Sequence, residues 1–274
     1  MNINTLLIVI FTAIISGNVY AEYKPAKSWS SAKNVLDDKV YVDHRYTFYC
    51  GCEFKSDNDS DGSGDIDADA CGLGGVSKMR HVKDTIQWEH IVPASLMPVG
   101  QYMCWQKETE VKQCKNKQGI VTKKNRTCCE KVSPSGKLMI FDLFNLAPSA
   151  AQLNQYRTND PYGEVPDNSG YEGFGQRCTA RDLNGTSSGP DGLFEPPDCK
   201  KGDAARTWFY MRLAHGVHID EATEALFNAW SAADPVSPWE RIRHDRIAAI
   251  QKNVNPYVDK INPDPAGACS WEPK

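Results

Sequence analysis

Beyond residue 21 the chain has no stretch apolar enough to span a bilayer, which needs about 20 apolar residues. That argues against an integral membrane protein. It has no internal repeat of about 20 to 50 residues and no heptad pattern, which excludes solenoids and coiled coils. Cys50-Gly51-Cys52 is followed by no Cys/His pair at zinc-finger spacing, which argues against structural zinc. Residues 1–21 carry no charged side chain, so the formal net charge of −4 belongs wholly to the remainder. That balance gives no general pull toward a polyanion. Any nucleic-acid affinity must come from how the charges are distributed.

What is present begins with a leader. Leu6 to Ser16 is an apolar run shorter than a membrane span, and Val19-Tyr20-Ala21 resembles a signal peptidase site. We expect residues 1–21 to be a signal peptide and 22–274 to be one exported domain, without membrane contact after cleavage. Ten cysteines fit that expectation, because disulfides form in oxidising compartments. Cys104 and Cys114 are the easiest pair to propose, although sequence cannot decide connectivity. Between Lys107 and Lys137 nine Lys/Arg face three Glu, a local charge of +6. Between Lys55 and Asp69 six Asp face one Lys, a local −5. We read 55–70 as an acidic insertion and 115–137 as a basic one.

Alternation predicts a strand within 40–54 and another over Thr85 to Val92, ended by Pro93. Residues 141–156 read as a helix entering near Asn145, with Pro148 in its first turn. The C-terminal third reads as three helices. The first runs from Ala204 to Ala214 behind Asp203 and stops at Gly216. The second, from Glu221 to Trp230, follows Asp220. The third opens on the capping box Ser237-Pro238-Trp239-Glu240. The connection 159–198 is too long for a plain turn and predicts short strands. The fold class expected is α+β, helix-rich toward the C-terminus and disulfide-stabilised.

Two stations carry chemistry. Trp88-Glu89-His90-Ile91-Val92-Pro93 places a carboxylate directly before an imidazole, and Asp142-Leu143-Phe144-Asn145-Leu146-Ala147-Pro148 offers an amide. Neutral imidazole can take a proton from water. Glu89 and Asn145 can give oxygens to one Mg²⁺, whose remaining shell is water and phosphate. Adjacent strand residues point to opposite faces, so Glu89 and His90 share a site only at a strand end or bulge. Asp57-Asn58-Asp59-Ser60-Asp61-Gly62-Ser63-Gly64-Asp65 matches the first nine positions of an EF-hand loop, but position 12 is Ala68. Asp57, Asp59, Asp61 and Asp65 are therefore candidate Ca²⁺ ligands. A flexible acidic loop is the competing reading. Arg206 could reach a phosphate or form a structural salt bridge.

Longer strings narrow the class. Phe48-Tyr49-Cys50-Gly51-Cys52, Trp88 to Ala94, Asn145-Leu146-Ala147-Pro148, Phe174 to Cys178, Ala205 to Met211, Phe227-Asn228-Ala229-Trp230, Pro235 to Glu240 and Asn255-Pro256-Tyr257-Val258 occur in this order. The chain thereby resembles the endonuclease I family of periplasmic or secreted bacterial nucleases, from about residue 48 to 260. The resemblance implies a ββα-metal (His-Me finger) core cutting DNA, and often RNA, with little sequence preference and leaving 5′-phosphates. It implies His90 as general base and Glu89 and Asn145 as magnesium ligands, on a chain expected to be monomeric. Departures from the family's pattern are specific. Phe144 stands where the family has His. Val111 and Lys112 stand where it has a phosphate-binding Arg, so either product-phosphate stabilisation is weakened or Lys112 or Arg126 substitutes. Arg241 replaces a Cys, and Cys128, Cys129 and Cys199 are additional. Two other readings stay open: a secreted calcium-stabilised binding module, and a catalytically weakened family member that binds DNA.

Overall fold

The computed structural model describes residues 23–56, 63–76, 80–167, 172–175, 177–183 and 192–273. The expected leader and Asp57, Asp59 and Asp61 lie outside the described residues. The architecture is α+β, with small sheets among helices rather than one large sheet. Among the described residues no helix is long and apolar enough to cross a membrane.

The chain enters through a short helix α1 (Trp29–Val35) that continues into a π-helical turn over Leu36–Val40. The strand expected within 40–54 is mostly absent. Tyr46 and Glu53 form one bridge around a tight turn, and strand β1 begins only at Phe54 (Phe54–Ser56). Gly51 sits in that turn at φ +59°, and a Cβ there would collide with the Trp271 ring. The turn chemistry of Cys50-Gly51-Cys52 thus overrides the alternation. β1 pairs antiparallel with β2 (Gly64–Ile66), which lies within the acidic insertion.

The central element is a two-stranded antiparallel ladder. β3 (Ile86–His90) is placed as expected. After it, helices α2 (Asn125–Val132) and α3 (Pro134–Ile140) form much of the basic insertion. The helix expected over 141–156 is a correction: residues 143–145 make a 3₁₀ turn, β4 (Leu146–Ala150) is a strand, and only α4 (Ala151–Arg157) is helical. Pro148 pairs with Trp88 inside the ladder. Its carbonyl accepts from the Phe48 N–H at 2.7 Å, away from β3. The missing N–H therefore also falls outside the ladder and costs it nothing.

Short strands β5 (Glu172–Gly173), β6 (Arg181–Leu183) and β7 (Leu193–Glu195) occupy the long connection. Helix α5 (Asp198–His215) starts six residues before the expected start and ends at Gly216 in the left-handed conformation, φ 71°. Asp203 is therefore no cap; it pairs with Lys200 and Arg206. Helices α6 (Glu221–Ala233) and α7 (Pro238–Gln251) begin behind Asp220 and Ser237 as expected, each side chain accepting a first-turn N–H. Trp208, Phe209 and Tyr210 are core residues.

All ten cysteines are paired: 50–178, 52–71, 104–129, 114–128 and 199–269. The proposed Cys104–Cys114 pair does not form. Each bonds instead to one of the adjacent cysteines on α2, so two bridges fasten that helix to the 103–115 segment.

Candidate active site

β3 and α4 build the site together. Gln87 and Glu89 project from one face of β3. Asn154 and Arg157, three apart, project from one face of α4. The faces interlock residue by residue. Asn154 Nδ2 donates to Gln87 Oε1 at 2.8 Å. Arg157 forms a buried salt bridge with Glu89 Oε1 and donates to the carbonyls of His90 and Ile91 at 2.7 and 2.9 Å. Tyr49 also donates to Glu89 Oε1, at 3.1 Å, and Tyr162 donates in turn to the Tyr49 oxygen at 2.7 Å. Both contacts on Glu89 thus land on Oε1. Burial lifts the Glu89 carboxyl above its ordinary range, while the Arg157 charge and these hydrogen bonds pull it down.

His90 ends the strand and turns away from that pair. Its half-buried ring stacks on Trp29, centroids 5.2 Å and planes 11° apart. Nε2 lies 2.9 Å from the Ile140 carbonyl oxygen. A carbonyl only accepts, so Nε2 carries the proton and Nδ1 keeps a lone pair. Burial first, and the nearby Arg126 charge second, hold the imidazole neutral, its pKa pushed down to about 3.

Asn145 is a correction. Its side chain is 0% exposed. Oδ1 accepts from the Val92 N–H at 2.7 Å and Nδ2 donates to the Val92 carbonyl at 3.0 Å. The amide clamps the chain leaving β3 and has no opening toward an ion. Glu89 and Asn145 together therefore do not form a cation site. Asn154, by contrast, does face open space. It lines a cavity of about 390 Å³ with Trp29, Lys33, Gln87, Trp88 and Arg126. Among the described residues no three His, Cys, Asp or Glu side chains gather as a metal cluster. Glu89, through Oε2, and Asn154, through Oδ1, are hard-oxygen donors on facing sides of β3 and α4 that could hold a cation.

The expected phosphate contacts separate. Arg126 lines the cavity, with its guanidinium 4.5 Å over the Trp29 ring and its Nε 3.1 Å from Glu130. Lys112 is exposed on a 3₁₀ turn and is not a lining residue of this cavity. Arg206 is excluded by burial: it forks onto Glu240 at 2.8 and 2.6 Å, and it donates to Asp203 and to the Asp234 carbonyl. Its salt bridge is structural. Phe144 is core, packed on His244 and Tyr210. Asp65 is exposed on β2, paired in register with Lys55. A larger cavity of about 640 Å³ lies beside the acidic insertion, lined by Glu53, Lys55, Asp65, Asp67 and Arg177 with no residue of β3. No histidine is among its lining residues.

Asn154, Arg157 and Trp29 were not picked out from sequence. The first two become visible once the strand is ended at Ala150, because an Asn and an Arg three apart then share the first face of α4.

The sequence model of the Endonuclease I family matches residues 28–262. The chain is 29% identical over 254 residues to an "Endonuclease-1" of Buchnera aphidicola subsp. Baizongia pistaciae, covering 92% of this chain and 91% of that protein. It is 29% identical over 236 residues to an "Extracellular deoxyribonuclease" of Aeromonas hydrophila, covering 86% and 90%. It is 28% identical over 256 residues to a "Periplasmic deoxyribonuclease" of the same species, covering 93% and 94%.

Proposed function

This chain belongs to the endonuclease I family, and on that premise we propose that it is an exported endonuclease hydrolysing DNA phosphodiester bonds with little sequence preference. The observation that carries the reading is the His90 imidazole, fixed by the Ile140 carbonyl so that Nδ1 is the proton acceptor. In this reading β3, β4 and α4 are a ββα-metal core. Nδ1 takes a proton from water, and the resulting hydroxide attacks phosphorus. The 3′ oxygen departs and the phosphate stays on the 5′ side.

Glu89 and Asn154, in place of the Glu89 and Asn145 pair expected from sequence, would hold one Mg²⁺. Such an ion supplies charge neutralisation at the phosphorane and the departing oxygen. Arg157 holds Glu89 in place. Arg126 and Lys33 face phosphate from the cavity wall. The lysines of the basic insertion extend the positive surface, where contacts to phosphate give affinity without base readout. RNA is a second substrate by the same chemistry, and the chain acts as a monomer. The relatives named extracellular and periplasmic, together with five disulfides, support a periplasmic or secreted location.

The test is plasmid nicking by the oxidised mature chain, with Mg²⁺ and with chelator, then repeated on RNA. Nicking that needs the metal and disappears in His90→Ala, with DNA binding retained, is the expected result. Intact plasmid under all conditions would defeat the proposal.

A further inference from the structure

Trp29 stands where the cleavage chemistry gives it no part. It lies on α1, whose cap Ser28 accepts the Ser31 N–H at 3.1 Å. Its indole is parallel to the His90 imidazole, and the Arg126 guanidinium sits over the same indole. One side chain therefore touches both the proton acceptor and a cation of the cavity wall.

Covering an imidazole face does not block its basicity. The Nδ1 lone pair lies in the ring plane, whereas Trp29 occupies a face. The Ile140 carbonyl alone would leave the ring free to swing about one hydrogen bond, since the terminal torsion of His is broad. A flat partner on the face removes that freedom and aims Nδ1 in one direction. The same logic applies to Arg126, whose donors lie in the guanidinium plane and stay available while its face is stacked. The indole itself is already engaged by two groups, which leaves it poorly placed to stack on a substrate base.

The strap bearing Trp29 is tied to the parts it must align. Ala32 and Leu36 are buried in the core. The Tyr23 hydroxyl donates to the Leu138 carbonyl at 2.7 Å, two residues before the carbonyl that holds His90. The Lys24 N–H donates to the carbonyl of Gln251, at the end of α7, at 2.8 Å.

We infer that Trp29 is a positioning residue, holding the plane of the His90 imidazole and shelving Arg126 beside it. Its effect on rate rests on the nuclease reading; its effect on the His90 ring does not.

The experiment compares Trp29→Leu and Trp29→Phe in the oxidised mature chain. In steady-state DNA cleavage, Trp29→Leu lowers kcat by about 10- to 100-fold, the scale of a slightly misplaced reacting group, while KM moves far less. Trp29→Phe keeps a flat face and recovers most of kcat. In nitrogen-15 NMR of the histidine side chains, the His90 Nε2–H resonance, identified by its loss in His90→Ala, persists in wild type and Trp29→Phe and broadens away in Trp29→Leu. Wild-type kcat in Trp29→Leu, or equal impairment in both variants, would overturn the inference. If the wild-type chain does not cut DNA, the nuclease reading fails by itself. The resonance then decides, and its survival unchanged in Trp29→Leu sinks the positioning role.

Discussion

Arg157 and Glu89 form a buried ion pair that joins α4 to the end of β3. The same guanidinium closes the carbonyls of His90 and Ile91, so one residue secures both the carboxylate and the backbone at His90. Deleting it strands an anion in the core. We expect Arg157→Ala to lose about 3–5 kcal/mol, the usual result of removing one partner from a buried pair. Urea unfolding with disulfides intact measures this. A loss below about 1 kcal/mol would mean that the pair is not buried as described.

Asn145 clamps Val92 where the sequence suggested a metal ligand, and Asn154 takes the ligand role in the proposed function, so two variants separate them. Asn145→Ala orphans a buried N–H and carbonyl of Val92 and should cost about 1–3 kcal/mol for each unsatisfied group. Asn154→Ala, half-buried at a cavity, should change stability little and should weaken Mg²⁺-dependent nicking. Titrating Mg²⁺ against activity for both proteins, below their melting transitions, distinguishes them. A right-shifted Mg²⁺ curve for Asn145→Ala with none for Asn154→Ala would reverse the assignment.

The pH dependence follows from His90. Its folded-state pKa is depressed from 6.5 to about 3, so above 6.5 neither folded nor unfolded chain binds the proton. As pH falls below 6.5 the unfolded chain takes it up first, and stability is lost progressively toward about 3. With His90 as the proposed base, the acid limb of kcat should therefore lie well below 6.5, because its imidazole stays neutral in the folded chain. An acid limb centred at the ordinary histidine value would show that the ring is not desolvated. In melting curves from pH 7 to 4, His90→Phe should lose less stability on acidification than wild type.

Arg126 should behave as a phosphate contact. Arg126→Ala is expected to weaken DNA binding and to make the slope of log affinity against log salt shallower by about one. Fluorescence anisotropy with a duplex in chelator gives both numbers. An unchanged slope would move Arg126 off the DNA and leave it as the shelf partner of Trp29.

The α2 bridges are a further handle. Replacing Cys128 and Cys129 by Ser frees α2 from the 103–115 segment and should remove about 3 kcal/mol for each loop closed. The Arg126→Ala binding defect should appear in the same protein, because its helix is no longer held to the cavity. Unaltered binding would show that α2 is placed by packing alone.

Much of this molecule was legible locally. Ser237 and Asp220 announce α7 and α6, because a side-chain oxygen beside three free N–H groups is a local event. Gly216 ends α5 by an equally local event, the left-handed backbone that glycine adopts without steric cost. β3 shows in its alternation up to Pro93, and the order of the Glu-His and Asn strings indicated the family. Residues 146–150 were misread because Pro148 suits a helix start as well as a ladder. Only pairing with β3 and the outward bond from Phe48 decide between them.

By itself, then, the sequence determined the starts of α6 and α7, the stop of α5, the oxidising compartment suited to its cysteines, and an imidazole beside a carboxylate. The tertiary structure decided which cysteines meet, that Asn145 clamps Val92 while Asn154 faces the cavity, and that Arg206 is sealed among carboxylates. Those facts depend on contacts between residues far apart in the chain. No local propensity encodes whether a given amide points at backbone or at open space.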